Sequence, residues 1–352
     1  MNKKCAVLVS GGVDSSVALR LLKEQGYEST AFYLKIWLED ELAYLGNCPW
    51  QEDLSYVEAV CKQADVPLEV ISLQKEYWDR VVTYTLSEIK AGRTPNPDIL
   101  CNQRVKFGAF FDKLGNGYEK VATGHYARVQ GEGTNIELHI TDDPVKDQTY
   151  FLSHLSRDQL ARVLFPIGHL TKIQVRNEAE RFDLPNKERK DSQGICFLGK
   201  LKFTDFIKHH FGEKEGSLVE FETQEVIGRH RGYWFYTIGQ RQGLGLAGGP
   251  WYVVAKDFES NIVFISRRYY TDDKERDTFT LRNCNWIGSA PPAGNLKVKL
   301  RHGPNFNLAE LNPSSDGTYA VSLQERDQGL AEGQYAVFYD GTRCLGGGII
   351  SP

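Results

Sequence analysis

The stretch Cys5-Ala-Val-Leu-Val-Ser-Gly-Gly-Val-Asp-Ser-Ser16 decides the fold of this chain. Its first five residues are small or apolar, which is typical of a strand buried inside a parallel sheet. Apolar residues then recur at helical spacing from Asp14 to Gly26. A strand joined to a helix by a glycine turn presents backbone N–H groups and the positive end of the helix to an anion. The sequence therefore predicts an α/β fold with a phosphate-binding loop after its first strand.

Strands and helices keep alternating after this loop, which indicates a doubly wound parallel sheet. The pattern becomes mainly helical from about residue 150 to residue 211, most clearly over 157–164 and 171–182. We therefore expect an N-terminal domain of residues 1–211. Its predicted strands are 5–9, 29–36, 68–73 and 120–123, and its earlier predicted helices are 14–26, 51–65, 75–91 and 104–114.

Short β-rich runs separated by Gly and Pro follow Gly216. This pattern predicts two small β-rich domains, 212–272 and 273–352, with the last one barrel-like. The clearest predicted strands are 251–255, 261–265, 297–300, 319–323 and 335–339.

The composition of the chain excludes several classes of protein. The 352 residues are 41% hydrophobic and carry a formal net charge of −4, so bulk electrostatic coating of nucleic acid is disfavoured and a nucleic-acid partner would need local basic patches. The sequence has no apolar run of about 18 residues and no signal-peptide pattern, which predicts no membrane association. Seven cysteines without a CxxC pair fit a reducing compartment, and we expect a cytoplasmic protein.

The glycine loop lacks the Lys of the GxxxxGK[ST] phosphate loop. Ser10-Gly-Gly-Val-Asp-Ser15 is similar instead to the pyrophosphate loop, SGGxDS, of enzymes that split ATP between its α and β phosphates. Such enzymes transfer AMP to a carbonyl-type oxygen. The loop alone leaves the acceptor open, because amide synthetases and tRNA-modifying enzymes share it.

A second motif is Thr94-Pro-Asn-Pro-Asp-Ile-Leu-Cys-Asn102. Its two prolines restrict the backbone, so we expect Asp98 and Cys101 to project from a stiff loop. We expect the next helix to begin near Arg104, and a thiol close to a helix start is favoured as the thiolate. A buried inert thiol is the alternative for Cys101.

A third motif, Asp191-Ser-Gln-Gly-Ile-Cys-Phe197, contains Cys196 beside a permissive glycine. The nearby cations of Lys187, Arg189 and Lys190 would stabilise a thiolate or persulfide at Cys196. An inert core thiol is the alternative for this cysteine.

These motifs, together with ATGHYA (122–127), KDQTYFL (146–152), YTIGQRQGLG (236–245) and CLGGGII (344–350), resemble the tRNA-specific 2-thiouridylase family in their usual order over residues 4 to 350. The resemblance implies a PP-loop ATP pyrophosphatase domain at the N-terminus. It also implies ATP-dependent thiolation of the tRNA wobble uridine, a flipped-out target base, and a persulfide-donating relay protein or cysteine desulfurase as a partner.

The resemblance also assigns residues. Cys101 is implied as the nucleophile, Cys196 as the persulfide carrier and Asp98 as a proton shuttle. A Mg²⁺ ion bound with ATP would offset the charge of the triphosphate. No residue is predicted as a metal ligand. ATP is implied to contact Leu8, Val9, Ser10, Gly11, Gly12, Val13, Asp14, Ser15, Leu34 and Gly124, and tRNA to contact Asn96, Pro97, Asp98, His125, Lys146, Asp147, Gln148, Arg301, His302 and Gln334.

Alternative interpretations remain open at this point. Another PP-loop enzyme, such as an amide-forming synthetase, would not need two placed thiols, and a non-catalytic tRNA-binding relative would not need an intact loop. An iron–sulfur cluster usually takes four Cys ligands and only Cys101 and Cys196 lie in site-like motifs, so a cluster is disfavoured. His125 has the alternative of a core or capping histidine, and Arg301 and Gln334 that of ordinary surface residues.

Overall fold

The first domain is built on a five-stranded parallel sheet of order β3-β2-β1-β4-β7. The structure, a computed structural model, describes residues 4–36, 50–115, 117–190, 202–268, 276–327 and 329–351, so Cys196 and its motif lie outside the described residues. The predicted α/β class is confirmed. The strands are β1 (Lys4–Leu8), β2 (Glu28–Lys35), β3 (Leu68–Ser72), β4 (Lys120–Ala122) and β7 (Val163–Leu164).

Alternate residues of β1 pack on opposite faces of this sheet. Cys5 and Val7 join one buried apolar cluster, and Ala6 and Leu8 join another. Helices therefore cover both faces, as a doubly wound sheet requires. The helices of the chain are α1 (Val13–Glu24), α2 (Trp50–Ala64), α3 (Gln74–Tyr77), α4 (Thr83–Lys90), α5 (Pro97–Cys101), α6 (Phe110–Leu114), α7 (Thr149–Leu152), α8 (Arg157–Ala161), α9 (Lys172–Arg181) and α10 (Phe203–Phe211), with π-helical turns at Trp78–Val82 and Asn102–Ala109.

The strand order reverses between β1 and β4. The chain first builds β2 and β3 on one side of β1 and then crosses over to place β4 on the other side. In open parallel sheets a ligand crevice forms outside the carboxyl ends of strands at such a reversal. The glycine loop that follows β1 and Gly124, which follows β4, both lie at this point.

The two predicted β-rich domains are confirmed. The central one is a four-stranded sheet of order β10-β11-β8-β9, and the last one is a barrel of six strands, closed because β12 pairs with both β15 and β17. Their strands are β8 (Gly216–Glu220), β9 (Val226–His230), β10 (Tyr252–Asp257), β11 (Ile262–Ser266), β12 (Arg276–Trp286), β13 (Gly294–Lys299), β14 (Asn307–Pro313), β15 (Tyr319–Asp327), β16 (Tyr335–Asp340) and β17 (Arg343–Ser351).

A hairpin of the first domain extends the barrel sheet. Its strands are β5 (Arg128–Gln130) and β6 (Glu137–His139), and β6 pairs antiparallel with the start of β17. This pairing joins the first domain to the C-terminal barrel by main-chain hydrogen bonds. Across the described ranges, no helix has the length and apolarity needed to cross a membrane.

Candidate active site

The glycine loop is held in a fixed shape by its own serines. Gly11 has φ of 75°, and Gly12 precedes the first residue of α1. The Ser15 hydroxyl accepts from the Ser10 N–H at 3.2 Å and donates to the Gly12 carbonyl at 3.1 Å. The first-turn N–H groups of α1 have no partner within the helix. The loop therefore directs N–H donors and the positive end of the helix toward the same point, where an anion can bind.

Gly124 packs directly on this loop. A Cβ atom at position 124 would lie 2.6 Å from the Ser15 nitrogen and 2.8 Å from the Asp14 carbonyl carbon. Only glycine therefore fits there without moving backbone. The structure brings Gly124 to the predicted nucleotide residues 10–15.

The remaining predicted nucleotide residues lie at the ends of β1 and β2. Leu8 and Val9 are 8% and 5% exposed, and the Val9 N–H donates to the Phe32 carbonyl at 3.0 Å. Their side chains therefore belong to the sheet core. Leu34 is the penultimate residue of β2. It is half-buried and pairs in register with Ile71 of β3.

Asp14 joins the loop to two other segments. Its Oδ1 accepts from the Tyr126 hydroxyl at 2.9 Å and from Lys172 Nζ at 2.7 Å. The Tyr126 N–H in turn donates to the side chain of Gln148 at 2.9 Å. The ATGHYA and KDQTYFL motifs are thus connected to the loop through this chain of hydrogen bonds.

The segment just before the Cys196 motif is fastened to the loop from another direction. Asn186 Nδ2 donates to the Gly11 carbonyl at 2.8 Å and to the Ser16 hydroxyl at 2.9 Å. Arg189 also donates to the Gly11 carbonyl, at 3.0 Å, and pairs with Asp53. These contacts hold residues up to 189 against the loop.

Cys101 lies inside a helix, which corrects the prediction of a stiff loop. Helix α5 begins at Pro97, and its cap residue Asn96 accepts from the Ile99 N–H at 3.3 Å. Proline at the first helical position and Asn at the cap start a helix efficiently, so the expected start near Arg104 was wrong. Cys101 is the fifth residue of a helical run that continues from α5 through the π-helical turn Asn102–Ala109 into α6. The effect of a helix start falls off within the first turn, so it does not reach this thiol.

The Cys101 side chain is 0% exposed and belongs to the same apolar cluster as Leu8 and Phe32. Asp98, by contrast, is half-buried in the first turn of α5. Because Cys196 lies outside the described residues, the convergence of the two sulfurs remains a prediction.

Most of the predicted tRNA residues fall into three groups. Asp147 is 2% exposed and pairs at 2.9 Å with Lys299, which is equally buried. His302 stacks on Phe151 with ring centroids 4.7 Å apart, and its Nε2 donates to the Asp147 carbonyl at 3.1 Å. This first group brings the 147–151 segment together with the barrel.

The second group is formed by Gln334 and the start of the cysteine motif. Gln334 Nε2 donates to the Thr94 carbonyl at 2.9 Å, and the Thr94 N–H donates to the Glu332 carbonyl at 2.8 Å. The barrel therefore holds the segment that leads into Asn96, Pro97 and Asp98. In the third group, Lys146 is half-buried and Arg301 pairs with Asp327 at 2.5 Å within the barrel.

His125 is half-buried beside two aromatic rings near the carboxyl end of β4. Its Nδ1 lies 2.6 Å from the Thr123 hydroxyl, and its ring lies 6.1 Å from Phe107 and 5.9 Å from Phe165. Burial, with a smaller contribution from Lys106, lowers the pKa of His125 well below its ordinary value. His125 is therefore a neutral ring, suited to stacking or hydrogen bonding and unsuited to pairing with phosphate.

Several residues at the site were missed by the sequence analysis. Tyr126 lies in the ATGHYA motif but had no predicted role. Arg189 was predicted only to stabilise a thiolate or persulfide at Cys196. Lys172 and Lys299 gave no signal at all, because each depends on a partner more than 150 positions away.

The comparisons with known proteins cover nearly the whole chain. Three family models match: the tRNA methyl transferase HUP domain over residues 3–200, the tRNA methyl transferase PRC-barrel domain over 204–267 and the aminomethyltransferase beta-barrel domain over 276–350. The tRNA-specific 2-thiouridylase MnmA of Parabacteroides distasonis is 45% identical, with 98% of each chain covered. The chain belongs to the tRNA-specific 2-thiouridylase family.

Other members of the family match equally well. The MnmA of Porphyromonas gingivalis is 45% identical with 98% of each chain covered, and MnmA 2 of Bacteroides fragilis is 45% identical with 98% of this chain and 99% of that protein covered. The resemblance to the 2-thiouridylase family drawn from the motifs is thereby confirmed.

Proposed function

We propose that this protein is a sulfurtransferase that replaces the C2 oxygen of the tRNA wobble uridine with sulfur, at the expense of ATP. The observation that carries the proposal is the packing of Gly124 on the intact SGGVDSS loop within a chain 45% identical to enzymes named for this reaction. The descriptions of the family models speak of methyl transfer. Methyl transfer needs no pyrophosphate loop and no paired cysteine motifs, so these features favour thiolation.

The nucleotide is assigned to the crevice at the strand reversal. Loop residues 10–15 would hold the phosphates, and Leu34 and Gly124 would border the adenosine, with Leu8 and Val9 contributing through their backbone. Mg²⁺ bound with ATP takes most of its ligands from phosphates and water, plus one or two carboxylates. Asp14 and Asp53 are the carboxylates beside the loop, so the residues present fit the ion, which would offset charge on the phosphates.

ATP solves the leaving-group problem of the reaction. The uracil O2 is a poor leaving group within a conjugated amide, whereas O2 bonded to AMP departs with the phosphate. A base inside a stack is out of reach of an enclosed site, so the uridine must flip out, and we assign its pocket to Asn96, Pro97 and Asp98. Because Cys101 is fully buried, the Cys196 sulfur can reach its thiol only after α5 or its surroundings move.

Two routes for the sulfur balance chemically. In one, the terminal sulfur of a Cys196 persulfide attacks C2 and displaces AMP, and the Cys101 thiolate then attacks the Cys196 sulfur. In the other, the Cys101 thiolate releases hydrosulfide from the persulfide, and the hydrosulfide displaces AMP. Both routes form 2-thiouridine and a Cys101–Cys196 disulfide, with Asp98 as the proton shuttle, and an external thiol then reduces the disulfide.

The partners follow from this chemistry. The tRNA would lie across the catalytic domain, residues 1–211, and the barrel, residues 273–352, with the central domain, 212–272, between them. Lys146, Gln148, Arg301 and the half-buried His125 would contact the tRNA directly, while Asp147, His302 and Gln334 hold the segments that carry the contacts. A persulfide relay protein or cysteine desulfurase would load Cys196, and the reducing cytoplasm would supply the thiol reductant.

The test is nucleoside analysis of tRNA incubated with ATP, a persulfide donor and either wild type or cysteine variants. Cys101→Ser and Cys196→Ser should each abolish 2-thiouridine formation while ATP binding survives. Cys284→Ser, a half-buried thiol in the barrel, is the matched control and should retain thiolation. Retained thiolation in either of the first two variants would exclude the proposal. Release of AMP from ATP that persists in full after alkylation of all thiols would favour an amide-forming relative.

A further inference from the structure

The phosphate loop of this chain contains no basic residue. Residues 10–16 are Ser, Gly, Gly, Val, Asp, Ser and Ser, and one of them is acidic. A triphosphate is strongly anionic, and phosphate loops of the GxxxxGK[ST] type meet this charge with a lysine of their own. If ATP binds here, the cations must come from elsewhere in the chain.

Lys172 approaches the loop from the start of α9. Its Nζ lies 2.7 Å from Asp14 Oδ1, and its side chain is only 15% exposed. The backbone around it is fixed: Thr171 and Gln174 form a capping box, and the Lys172 N–H donates to Asp143 Oδ2 at 3.0 Å. The start of α9 therefore directs the ammonium group toward the loop and holds it there.

Arg189 approaches the loop at Gly11. Its NH1 lies 3.0 Å from the Gly11 carbonyl, and a Cβ at position 11 would lie 2.9 Å from the same nitrogen. The guanidinium also pairs with Asp53 and lies over the Tyr56 ring, 4.9 Å from its centroid. Arg176 fixes the backbone of this residue by donating to the Arg189 carbonyl at 2.8 Å.

We propose that Lys172 and Arg189 together bind the pyrophosphate portion of ATP and supply the positive charge that the loop lacks. The inference rests on the proposed use of ATP and names further binding residues for it. The two cations contact the loop at two different residues, Asp14 and Gly11. Each is now paired with a carboxylate, and phosphate oxygens compete well for such partners because they form strong charge-assisted hydrogen bonds. The carboxylates Asp14 and Asp53 are then left to the metal ion that accompanies the phosphates.

The test is a comparison of ATP with adenosine, using binding titrations on the full chain. Lys172→Met and Arg189→Met should each weaken ATP binding about tenfold or more, since one charge-assisted contact is worth about that factor. Adenosine affinity should stay within about threefold of wild type for both variants, because adenosine has no phosphate. Lys172→Arg and Arg189→Lys should recover most of the ATP affinity, because they keep the charge.

A control variant comes from the same helix as Lys172. Arg181→Met removes a cation at the far end of α9, which pairs with Glu24 away from the loop. It should leave ATP affinity unchanged. The assignment is overturned if either main variant keeps ATP affinity within about threefold, or if ATP and adenosine weaken equally, which would indicate collapse of the loop. A wild-type chain that binds ATP without thiolating tRNA would contradict the proposed function, while the same affinity ratios would still decide for or against the two cations.

Discussion

Asp147 and Lys299 form an ion pair of 2.9 Å between the first domain and the barrel, and both side chains are 2% exposed. Thr149 donates a hydrogen bond to the Asp147 carboxylate, and the Lys299 ammonium lies over the Phe306 ring. A buried charge that loses its partner is strongly destabilising. The pair therefore holds the 146–148 segment against strand β13, on the side of the molecule assigned to tRNA.

Lys299→Met should lower the free energy of unfolding by about 3–5 kcal/mol, because it leaves the buried Asp147 carboxylate without its cation. Urea unfolding followed by tryptophan fluorescence measures this. The double variant Asp147→Leu/Lys299→Met should regain most of the loss. Lys75→Met, which breaks an exposed pair with Asp79, should leave the unfolding midpoint unchanged. A midpoint for Lys299→Met equal to that of Lys75→Met would show that the pair does not hold the domains.

Gly124→Ala should weaken ATP binding about tenfold or more while the protein stays folded, because the new methyl group meets the Ser15 nitrogen and displaces the loop. The measurement is a nucleotide titration beside a thermal unfolding curve. Gly117→Ala is the matched control, since a Cβ there meets no atom nearer than 3.8 Å. Unchanged ATP affinity in Gly124→Ala would separate this glycine from the nucleotide site.

The stability of the fold should fall in mild acid because buried histidines resist protonation. Burial lowers the pKa of His154 to about 4, below the ordinary value near 6.5. The stability contributed by the neutral ring is present above pH 6.5 and is lost as the pH falls toward 4, at about 1.4 kcal/mol per pH unit. His154→Gln should make the pH dependence of unfolding between pH 6.5 and 4 shallower by that slope. Identical slopes in wild type and His154→Gln would contradict this account.

Gln334→Ala should slow tRNA thiolation about tenfold and leave ATP affinity within twofold, because its amide holds the Thr94 carbonyl ahead of the cysteine helix, and misplacing a site lowers kcat. Single-turnover thiolation and an ATP titration test both parts. Gln324→Ala, on an exposed position of β15, is the control. Loss of ATP affinity in Gln334→Ala would instead indicate a general collapse of the site.

The sequence predicted those features that depend on local pattern. The apolar run before Ser10 and the two glycines were enough for β1, the loop and α1, and β-rich runs between Gly and Pro were enough for β13, β15 and β16 of the barrel. The prolines of the cysteine motif were misread as a loop because Pro97 also suits the first position of a helix. Strand β7 has only two residues and was included in a predicted helix.

The contacts that complete the site are long-range. Lys172 and Asp14 are 158 positions apart, and Gln334 and Thr94 are 240 apart. No local pattern connects such pairs, because each residue alone is an ordinary polar residue near a helix or strand end. The hairpin β5–β6 was missed for a related reason, since its three-residue strands are stabilised by the barrel edge and carry no period of their own.

The central claim is that the sulfurs of Cys101 and Cys196 react with each other during one round of thiolation. Persulfide-loaded protein, mixed with ATP and tRNA without added reductant, can be quenched by alkylation and mapped by mass spectrometry of non-reduced peptides. The account predicts a Cys101–Cys196 disulfide formed in proportion to the 2-thiouridine made, and absent when ATP is left out. Formation of 2-thiouridine with both cysteines recovered as separate alkylated thiols would contradict it.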